Sequence, residues 1–206
     1  MNIAIIGYGR MGHEIEKIAR NKGINTISII DPNEGNANFK EISEESMRNV
    51  DVCIDFTNPD AVVGNVSKIS KFKKNIVVGT TGWQDSLNDV KAIVEKNKIG
   101  FIYASNFSIG VNVFFRIVEN AAKMMNNIED YGVFGYELHH NKKLDSPSGT
   151  AKSIEKILVS NISRKKQVPF ASVRSGSIPG THAVGFDSSA DTIELTHTAR
   201  NREGFA

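Results

Sequence analysis

The strongest constraint on the fold lies at the start of the chain, where an apolar run leads directly into a glycine-rich turn. Residues 2–6 are typical of a buried parallel strand, and residues 7–12 are Gly-Tyr-Gly-Arg-Met-Gly. Apolar residues then recur at helical spacing as far as Gly23. A strand, a G-x-G-x-x-G turn and a helix in this order predict an α/β fold that begins with a Rossmann-type parallel sheet.

The glycines of this turn have separate predicted roles in binding a dinucleotide. Gly7 makes the tight turn, Gly9 lets the pyrophosphate approach the backbone, and Gly12 lets helix and strand pack closely. The free N–H groups at the start of the helix attract phosphate. The predicted cofactor-binding residues here are Gly7, Gly9, Arg10, Met11 and Gly12.

The second predicted strand, residues 26–30, ends at an acidic residue that bears on the choice of cofactor. Asp31 lies about 20 residues beyond the glycines, where an acid binds both ribose hydroxyls and repels a 2′-phosphate. Residues 32–34 include no basic side chain, which favours NADH. Arg10 can reach a 2′-phosphate, so the sequence does not exclude NADPH as the cofactor.

Three further strands, predicted near 50–55, 76–78 and 100–104, alternate with helices near 60–71 and 83–98. Polar or glycine-rich segments follow these strands, at the edge of a parallel sheet where ligands bind. They are Asp55-Phe56-Thr57, Gly79-Thr80-Thr81 and Ser105-Asn106-Phe107. This pattern predicts a dinucleotide-binding domain over residues 1–107.

The alternation of strands and helices ends after a helix predicted near 111–126, which we expect to connect two domains. Strands are predicted near 131–136, 171–174, 180–187 and 190–199, with one long helix ending near residue 160. Residues 108–206 are therefore predicted to form a smaller α+β domain, with one helix over an open mixed or antiparallel sheet.

An unusual segment, residues 137–151, joins the first of these strands to the long helix. His139 and His140 can donate a proton near neutral pH, and Lys143 adds a positive charge. Ser146 is predicted to cap the helix with Pro147 at its first position. The N–H groups at such a helix end, including those of Gly149 and Thr150, attract a carboxylate. The segment thus predicts a site for a small acidic substrate.

In this order, the residues of segment 137–151 resemble the signature of the dihydrodipicolinate reductase family. Glu137, the His-His pair, Lys143 and the run from Asp145 to Ala151 match it, with Ser146 in place of the family's alanine. Residues 174–182 and 197–206 resemble two further family patterns, Arg-x-Gly-x-Ile-x-Gly-x-His and His-x-Ala-x-x-Arg-x-x-Phe-Ala. The resemblance implies NADH- or NADPH-dependent reduction of 4-hydroxy-tetrahydrodipicolinate to tetrahydrodipicolinate, in lysine and diaminopimelate biosynthesis.

The resemblance also implies roles for individual residues. His139 is expected to be the general acid, and Lys143 to bind the substrate and offset negative charge in the transition state. His140, Gly149 and Thr150 are expected to bind a substrate carboxylate. The segments at 55–57, 79–81 and 105–107 are expected along the nicotinamide half of the cofactor. The open face of the second sheet is expected to form a homotetramer, and no metal is expected.

Composition excludes several other classes of protein. A net charge of +2 without a basic stripe argues against a nucleic-acid-binding protein. Cys53 is the single cysteine, which excludes an internal disulfide. No apolar run reaches the roughly 20 residues of a membrane span, and no signal-peptide pattern is seen, so a cytoplasmic protein is expected.

Two alternatives stay open at the level of the sequence. A different NAD-dependent reductase of amino or imino acids, such as an aspartate dehydrogenase, would share the first domain but would not need the His-His-x-x-Lys and Ser-Gly-Thr residues. A dinucleotide sensor would bind NADH without turnover. The resembled family continues beyond this point with a helix and a strand, and the sequence ends at Ala206, so we expect that closing element to be absent.

Overall fold

The computed structural model describes residues 1–206 and consists of two compact units. The first contains residues 1–105 together with Ala206, and the second contains residues 106–205. No helix is both long enough and apolar enough to cross a membrane.

The first unit is a five-stranded parallel sheet with strand order β2-β1-β3-β4-β5. The strands are β1 (Asn2–Ile6), β2 (Asn25–Ile30), β3 (Val52–Asp55), β4 (Asn75–Val78) and β5 (Phe101–Tyr103). The helices are α1 (Arg10–Asn21), α2 (Pro59–Lys71) and α3 (Leu87–Asn97), the last preceded by a short 3-10 helix, Gln84–Ser86.

Strand β1 is buried on both faces, as its unbroken apolar run predicts. Ile3 and Ile5 pack with Ile15 of α1, whereas Ala4 and Ile6 belong to a separate core that includes α2. Alternate side chains therefore meet opposite layers. Because β1 lies between β2 and β3, the strand order reverses beside it, and ligands of such sheets bind outside the carboxyl ends of the strands at this point.

The second unit is a four-stranded mixed sheet with strand order β7-β6-β8-β9. The strands are β6 (Gly132–His139), β7 (Phe170–Arg174), β8 (Thr181–Asp187) and β9 (Thr192–Thr198), and the helices are α4 (Ile109–Met125) and α5 (Gly149–Asn161). β6 and β7 are parallel, and the other two pairs are antiparallel. The predicted fold class, a Rossmann-type sheet followed by an α+β unit, is confirmed.

Two details of the second unit differ from the sequence-based prediction. Two helices cover the sheet instead of one, because Phe114, Val118 and Ala122 form an apolar stripe on α4 that packs with Ile154 of α5. In addition, β6 extends to residue 139 instead of ending near 136. The extension matters because it places the first residues of segment 137–151 in a strand.

The end of α4 is held by a single side chain that the sequence does not single out. The Arg164 guanidinium donates to the carbonyl oxygens of Met125, Asn126, Ile128 and Tyr131 at 2.6–3.1 Å. Carbonyls at the end of a helix have no partner within the helix, so Arg164 acts as a side-chain cap for the C-terminal end of α4.

Candidate active site

The glycine-rich turn of the first unit has the shape that a pyrophosphate requires. Gly7 has a φ of +86°, and a Cβ there would lie 2.3 Å from the carbonyl oxygen of Phe56. A Cβ on Gly12 would lie 2.5 Å from the Gly7 oxygen, whereas one on Gly9 would meet no atom within 4 Å. Helix α1 begins directly after Gly9 without a side-chain cap. The open space and the free helical N–H groups fit a dinucleotide phosphate.

Asp31 follows β2 and is anchored to this turn. Its carboxylate accepts hydrogen bonds from the backbone N–H groups of Tyr8 and Asn33, each at 2.9 Å, and of Glu34 at 3.2 Å. Burial opposes ionisation of Asp31, but these backbone groups outweigh it and lower its pKa. Asp31 is therefore a fixed negative charge beside the glycine turn.

Asp55 was predicted to contact the cofactor, and this stays a prediction, although the side chain is committed to hydrogen bonds within the protein. The residue is completely buried, and its carboxylate accepts hydrogen bonds from Thr57, Thr80 and Asn65 at 2.8–3.1 Å. These donors occupy both oxygens, so Asp55 joins the loop after β3 to the loop after β4 and has no oxygen free for a ligand. Of the predicted residues in these two loops, Thr81 is exposed, Phe56 and Gly79 are half-buried, and the Phe56 ring lies against Gly79.

The residues after β5 are divided between the two units. Ser105 ends the first unit and is exposed. The Asn106 side-chain oxygen accepts a hydrogen bond from the N–H of Ser108 at 2.8 Å, just before α4. The predicted cofactor contact of Asn106 stays a prediction, in which the side-chain NH2 is the group to donate because the oxygen already accepts at the helix start. Phe107 is half-buried.

In the second unit, the predicted catalytic segment surrounds a carboxylate that the prediction left without a role. Glu137 is completely buried, and its Oε1 accepts hydrogen bonds from Arg174 Nη2 at 2.7 Å, Ser172 Oγ at 2.8 Å and Ser148 N at 2.9 Å. Burial opposes ionisation of Glu137, but the hydrogen bonds from Ser148, Arg174 and Ser172 lower its pKa to about 2. Glu137 is therefore an anion inside the core.

Two imidazole rings lie against the other oxygen of this carboxylate. Glu137 Oε2 is 3.3 Å from His139 Nδ1 and 3.4 Å from His182 Nε2. His182 Nε2 is also 3.1 Å from Ser148 Oγ. Burial lowers the pKa of both histidines, that of His182 to about 4, although Glu137 acts in the opposite direction. Both rings are therefore mainly neutral at pH 7.

The loop after β6 carries the remaining charged groups of segment 137–151. Lys143 Nζ is 2.7 Å from Asp145 Oδ1. Burial opposes ionisation of Asp145, but Lys143 and the N–H of Gly149 lower its pKa. His140 is half-buried, and its Nδ1 is enclosed without a hydrogen-bond partner.

The start of α5 differs from the prediction by two residues. The helix is capped by Ser148, whose Oγ accepts a hydrogen bond from Ala151 N at 3.1 Å, and not by Ser146. Gly149 and Thr150 are thus the first helical residues, with Gly149 exposed and Pro147 before the cap. The carboxylate of Asp145 already lies at the N–H group of Gly149, so this group is not free as the sequence predicted. Carboxylate binding at Gly149 and Thr150 stays a prediction.

Comparison with known proteins identifies the family to which this chain belongs. The model named "Dihydrodipicolinate reductase, N-terminus" matches residues 1–107, and the model named "Dihydrodipicolinate reductase, C-terminus" matches residues 110–206. The chain belongs to the dihydrodipicolinate reductase family.

Individual members of the dihydrodipicolinate reductase family match most of the chain. It is 41% identical to the 4-hydroxy-tetrahydrodipicolinate reductase of Christiangramia forsetii, over 100% of this chain and 88% of that protein. The reductase of Buchnera aphidicola subsp. Schizaphis graminum is 38% identical over 76% of this chain and 63% of that protein. The dipicolinate-bound dihydrodipicolinate reductase from Paenisporosarcina sp. TG-14 is 25% identical, with a TM-score of 0.80, covering 100% of this chain and 90% of that one.

Membership of the dihydrodipicolinate reductase family confirms the resemblance found in segment 137–151. Sequence reasoning gave no site role to Glu137 or Ser172, and it recognised Arg174 and His182 only as part of the family pattern at residues 174–182. One signal was available for Glu137: in a strand, residues two apart share a face, so Glu137 lies on the same face as His139 once β6 reaches that far.

Proposed function

We propose that this chain is an NAD(P)H-dependent 4-hydroxy-tetrahydrodipicolinate reductase in which His139 and Lys143 are the catalytic residues. The observation that carries the proposal is the convergence, within the second unit, of a buried histidine beside a carboxylate, a lysine and an exposed helix start. These are the groups needed to hold an acidic substrate and to give it a proton. The relatives named above share this activity by name.

The substrate is a small dicarboxylate, consistent with the dipicolinate bound to the relative from Paenisporosarcina sp. TG-14. We assign one carboxylate to the N–H groups of Gly149 and Thr150 and to the half-buried His140. Asp145 must then give up its contact with Gly149, because two carboxylates cannot share the same N–H groups without repulsion. Lys143, released from Asp145, would face the substrate.

His139 is the proposed general acid for the atom that gains a proton as the substrate is reduced. When bound, the reduced nicotinamide supplies the hydride. Burial lowers the pKa of His139, so that its protonated form is a stronger acid than an exposed imidazolium. Lys143 would stabilise negative charge that develops on the substrate before the proton arrives.

For the cofactor we propose a preference for NADH. The glycine turn fits a dinucleotide, and Asp31 beside it is a negative charge that opposes a 2′-phosphate. Arg10, exposed at the start of α1, is the one residue of the glycine turn that would favour NADPH. Replacement of Asp31 by asparagine should therefore raise the use of NADPH relative to NADH.

We also propose a cytoplasmic homotetramer that forms through the second sheet. Both helices of this unit pack on the face that carries Val184 and Phe186, which leaves the opposite face of the sheet uncovered by helices. Val173, on the uncovered face, is 46% exposed. Sedimentation velocity on the purified chain tests this assembly.

The activity is tested by NADH and NADPH oxidation with substrate formed in place from pyruvate and aspartate semialdehyde by a purified synthase. Turnover should depend on the synthase and be faster with NADH. His139→Gln should lower kcat by about 10²- to 10⁴-fold while leaving the Kd of NADH nearly unchanged. Lys143→Ala should also lower kcat, whereas Lys142→Ala, at the exposed neighbouring position, serves as the matched control.

Three results would contradict parts of the proposal. Unchanged kcat in His139→Gln would remove that residue from the chemistry. Oxidation of L-aspartate with NAD, without synthase-dependent turnover, would favour an amino-acid dehydrogenase. Binding of NADH by calorimetry without turnover of either substrate would favour a sensor.

A further inference from the structure

A row of polar side chains crosses the second sheet beneath the starts of both of its helices. In register, Ser172 of β7 pairs with Glu137 of β6, Glu137 with His182 of β8, and His182 with His197 of β9. Glu137 and His182 are buried, 0% and 5% exposed. A buried carboxylate is costly unless its partners compensate the charge, so the identity of those partners indicates its role.

The two oxygens of Glu137 have different surroundings. Oε1 accepts three hydrogen bonds, from Arg174, Ser172 and the N–H of Ser148. Oε2 and His139 Nδ1 are both fully enclosed and neither forms a hydrogen bond of good geometry, yet they lie 3.3 Å apart. Oε2 is thus a buried acceptor that faces ring nitrogens, and a proton on His139 Nδ1 is the group that would satisfy both atoms.

The other nitrogen of His139 is directed towards a position without a side chain. Gly180 is buried with a φ of +150°, and a Cβ there would lie 3.1 Å from His139 Nε2. Glycine at this position therefore leaves space beside Nε2. The ring is held with Nδ1 towards Glu137 and Nε2 away from it.

We propose that Glu137 is a positioning residue that keeps a proton on Nδ1 of His139, so that Nε2 is the nitrogen that delivers the proton to the substrate. This inference rests on the proposed function, in which His139 is the general acid. A carboxylate that fixes the tautomer of a histidine and stabilises its imidazolium is an arrangement that several enzymes use.

The proton transfer balances with these groups alone. In the imidazolium, both nitrogens carry protons. As the Nε2–H bond breaks, its electron pair stays on Nε2, the proton forms a new bond to the substrate atom, and the ring becomes the neutral Nδ1–H tautomer. Solvent then returns a proton to Nε2. Glu137 remains ionised throughout, because Arg174 and two further donors hold its negative charge.

The groups that face His139 come from several elements. Glu137 of β6 favours its charged form, whereas burial and the cations Lys143, in the loop after β6, and Arg174 of β7 oppose it. Asp145 favours the charged form more weakly. The His182 ring of β8 lies edge-on, with ring centroids 5.0 Å apart, and burial keeps it neutral with a pKa of about 4. Glu137 is therefore the main group that supports the imidazolium.

Glu137, His139 and His182 place donor atoms within 4.8 Å of one another, a spacing that also suits a metal ion. Arg174 argues against a cation at this place, because its guanidinium already lies 2.7 Å from the same carboxylate. A proton shared with His139 satisfies the cluster without a second positive charge beside Arg174.

The tautomer is measured directly by ¹⁵N NMR of the imidazole nitrogens in the full chain, with His139 assigned by loss of its signals in His139→Gln. In the wild type, neutral His139 should be the Nδ1–H tautomer. In Glu137→Gln, its pKa should fall by about one unit or more and the preference for one tautomer should weaken. With substrate, kcat should fall by about 10- to 100-fold at little change in KM. Glu137→Asp should recover part of the loss.

Two observations would overturn the inference: a neutral His139 protonated on Nε2 in the wild type, or an unchanged His139 pKa in a folded Glu137→Gln variant. A shift of the His139 and His182 signals on adding Zn²⁺ at stoichiometric amounts would identify a metal site and would also overturn it. The wild-type tautomer is measured without any change at Glu137, so this result stands even where Glu137→Gln does not fold. It is also independent of turnover, so absence of reductase activity would count against the proposed function alone.

Discussion

The two units each contain one completely buried carboxylate, and the two differ in their partners. Asp55, at the end of β3, is surrounded by uncharged donors from Thr57, Thr80 and Asn65. Glu137, near the end of β6, has the cation of Arg174 on one oxygen and two imidazole rings beside the other. Asp55 holds two loops in place, whereas Glu137 is coupled to groups that can exchange protons.

This difference shows that burial alone does not identify a functional carboxylate. Both side chains have 0% exposure, and both are rich in hydrogen bonds. What separates them is whether the partners titrate and whether any buried polar atom is left unsatisfied. Glu137 Oε2 and His139 Nδ1 meet both criteria, whereas no oxygen of Asp55 is left without a donor.

The largest effect is expected on removing the charged carboxylate. Glu137→Ala leaves the partly buried Arg174 guanidinium without its counter-charge, and should destabilise the second unit by ~3–5 kcal/mol. Hydrogen exchange measured peptide by peptide at increasing urea follows each unit separately. Peptides from β6 and β8 should lose protection, and those from β1 and β3 should not. Equal losses in both units would contradict the separation of the two sites.

Removing the other carboxylate should have a smaller effect in a different place. Asp55→Ala leaves uncharged donors unsatisfied and should destabilise the first unit by ~1–3 kcal/mol. Trp83, the single tryptophan, is buried and donates to the carbonyl of Thr80, so its fluorescence reports this loop. The Kd of NADH should rise as the loops loosen. A change in the pKa of His139 in this variant would contradict our comparison.

Acid should distinguish the two sites through the histidines. The pKa of His182 is about 4 in the folded chain, so between pH 6.5 and 4 the unfolded chain gains a proton that the folded chain does not. Folding stability should therefore fall over this range, by on the order of 3 kcal/mol and in the second unit. Glu137, with a pKa of about 2, adds a further loss below pH 4.5. Exchange at pH 7 and pH 5, corrected for intrinsic rates, checks this prediction.

The smallest effect is expected from removing one neutral donor to Glu137. Ser172→Ala deletes one of three hydrogen bonds to Oε1 and should cost ~1 kcal/mol, because Arg174 and Ser148 remain. Its kcat should stay within a few-fold of the wild type. Chemical denaturation and steady-state kinetics measure both. A loss of kcat as large as that of Glu137→Gln would show that the carboxylate position, and not its charge beside His139, controls turnover.

The sequence predicted the first unit well because its signals are local. An unbroken apolar run requires a strand buried on both faces, and the clashes that a Cβ would cause at Gly7 and Gly12 explain why glycine occupies those positions. The second unit was predicted less completely. From the sequence, the apolar helix α4 was predicted only to connect the two domains. Its packing with α5 on one face of the sheet depends on residues that are far away in sequence.

For the site, the sequence by itself determined which chemistry is present. Two adjacent histidines, a lysine and a Ser-Gly-Thr helix start lie close along the chain, and their order indicates the family. Helix α5 and the glycine turn follow from local propensities. These features need no knowledge of which strands are neighbours.

Only the tertiary structure decided how those groups are used. Strands β7 and β8 bring Ser172, Arg174 and His182 to Glu137 from more than 30 positions away, and that pairing makes an ordinary glutamate the centre of the cluster. In the first unit, the loops after β3 and β4 and helix α2 likewise bring Thr57, Thr80 and Asn65 to Asp55. The physical reason is that charge compensation in a core depends on three-dimensional neighbours, and strand pairing, not chain order, determines those neighbours.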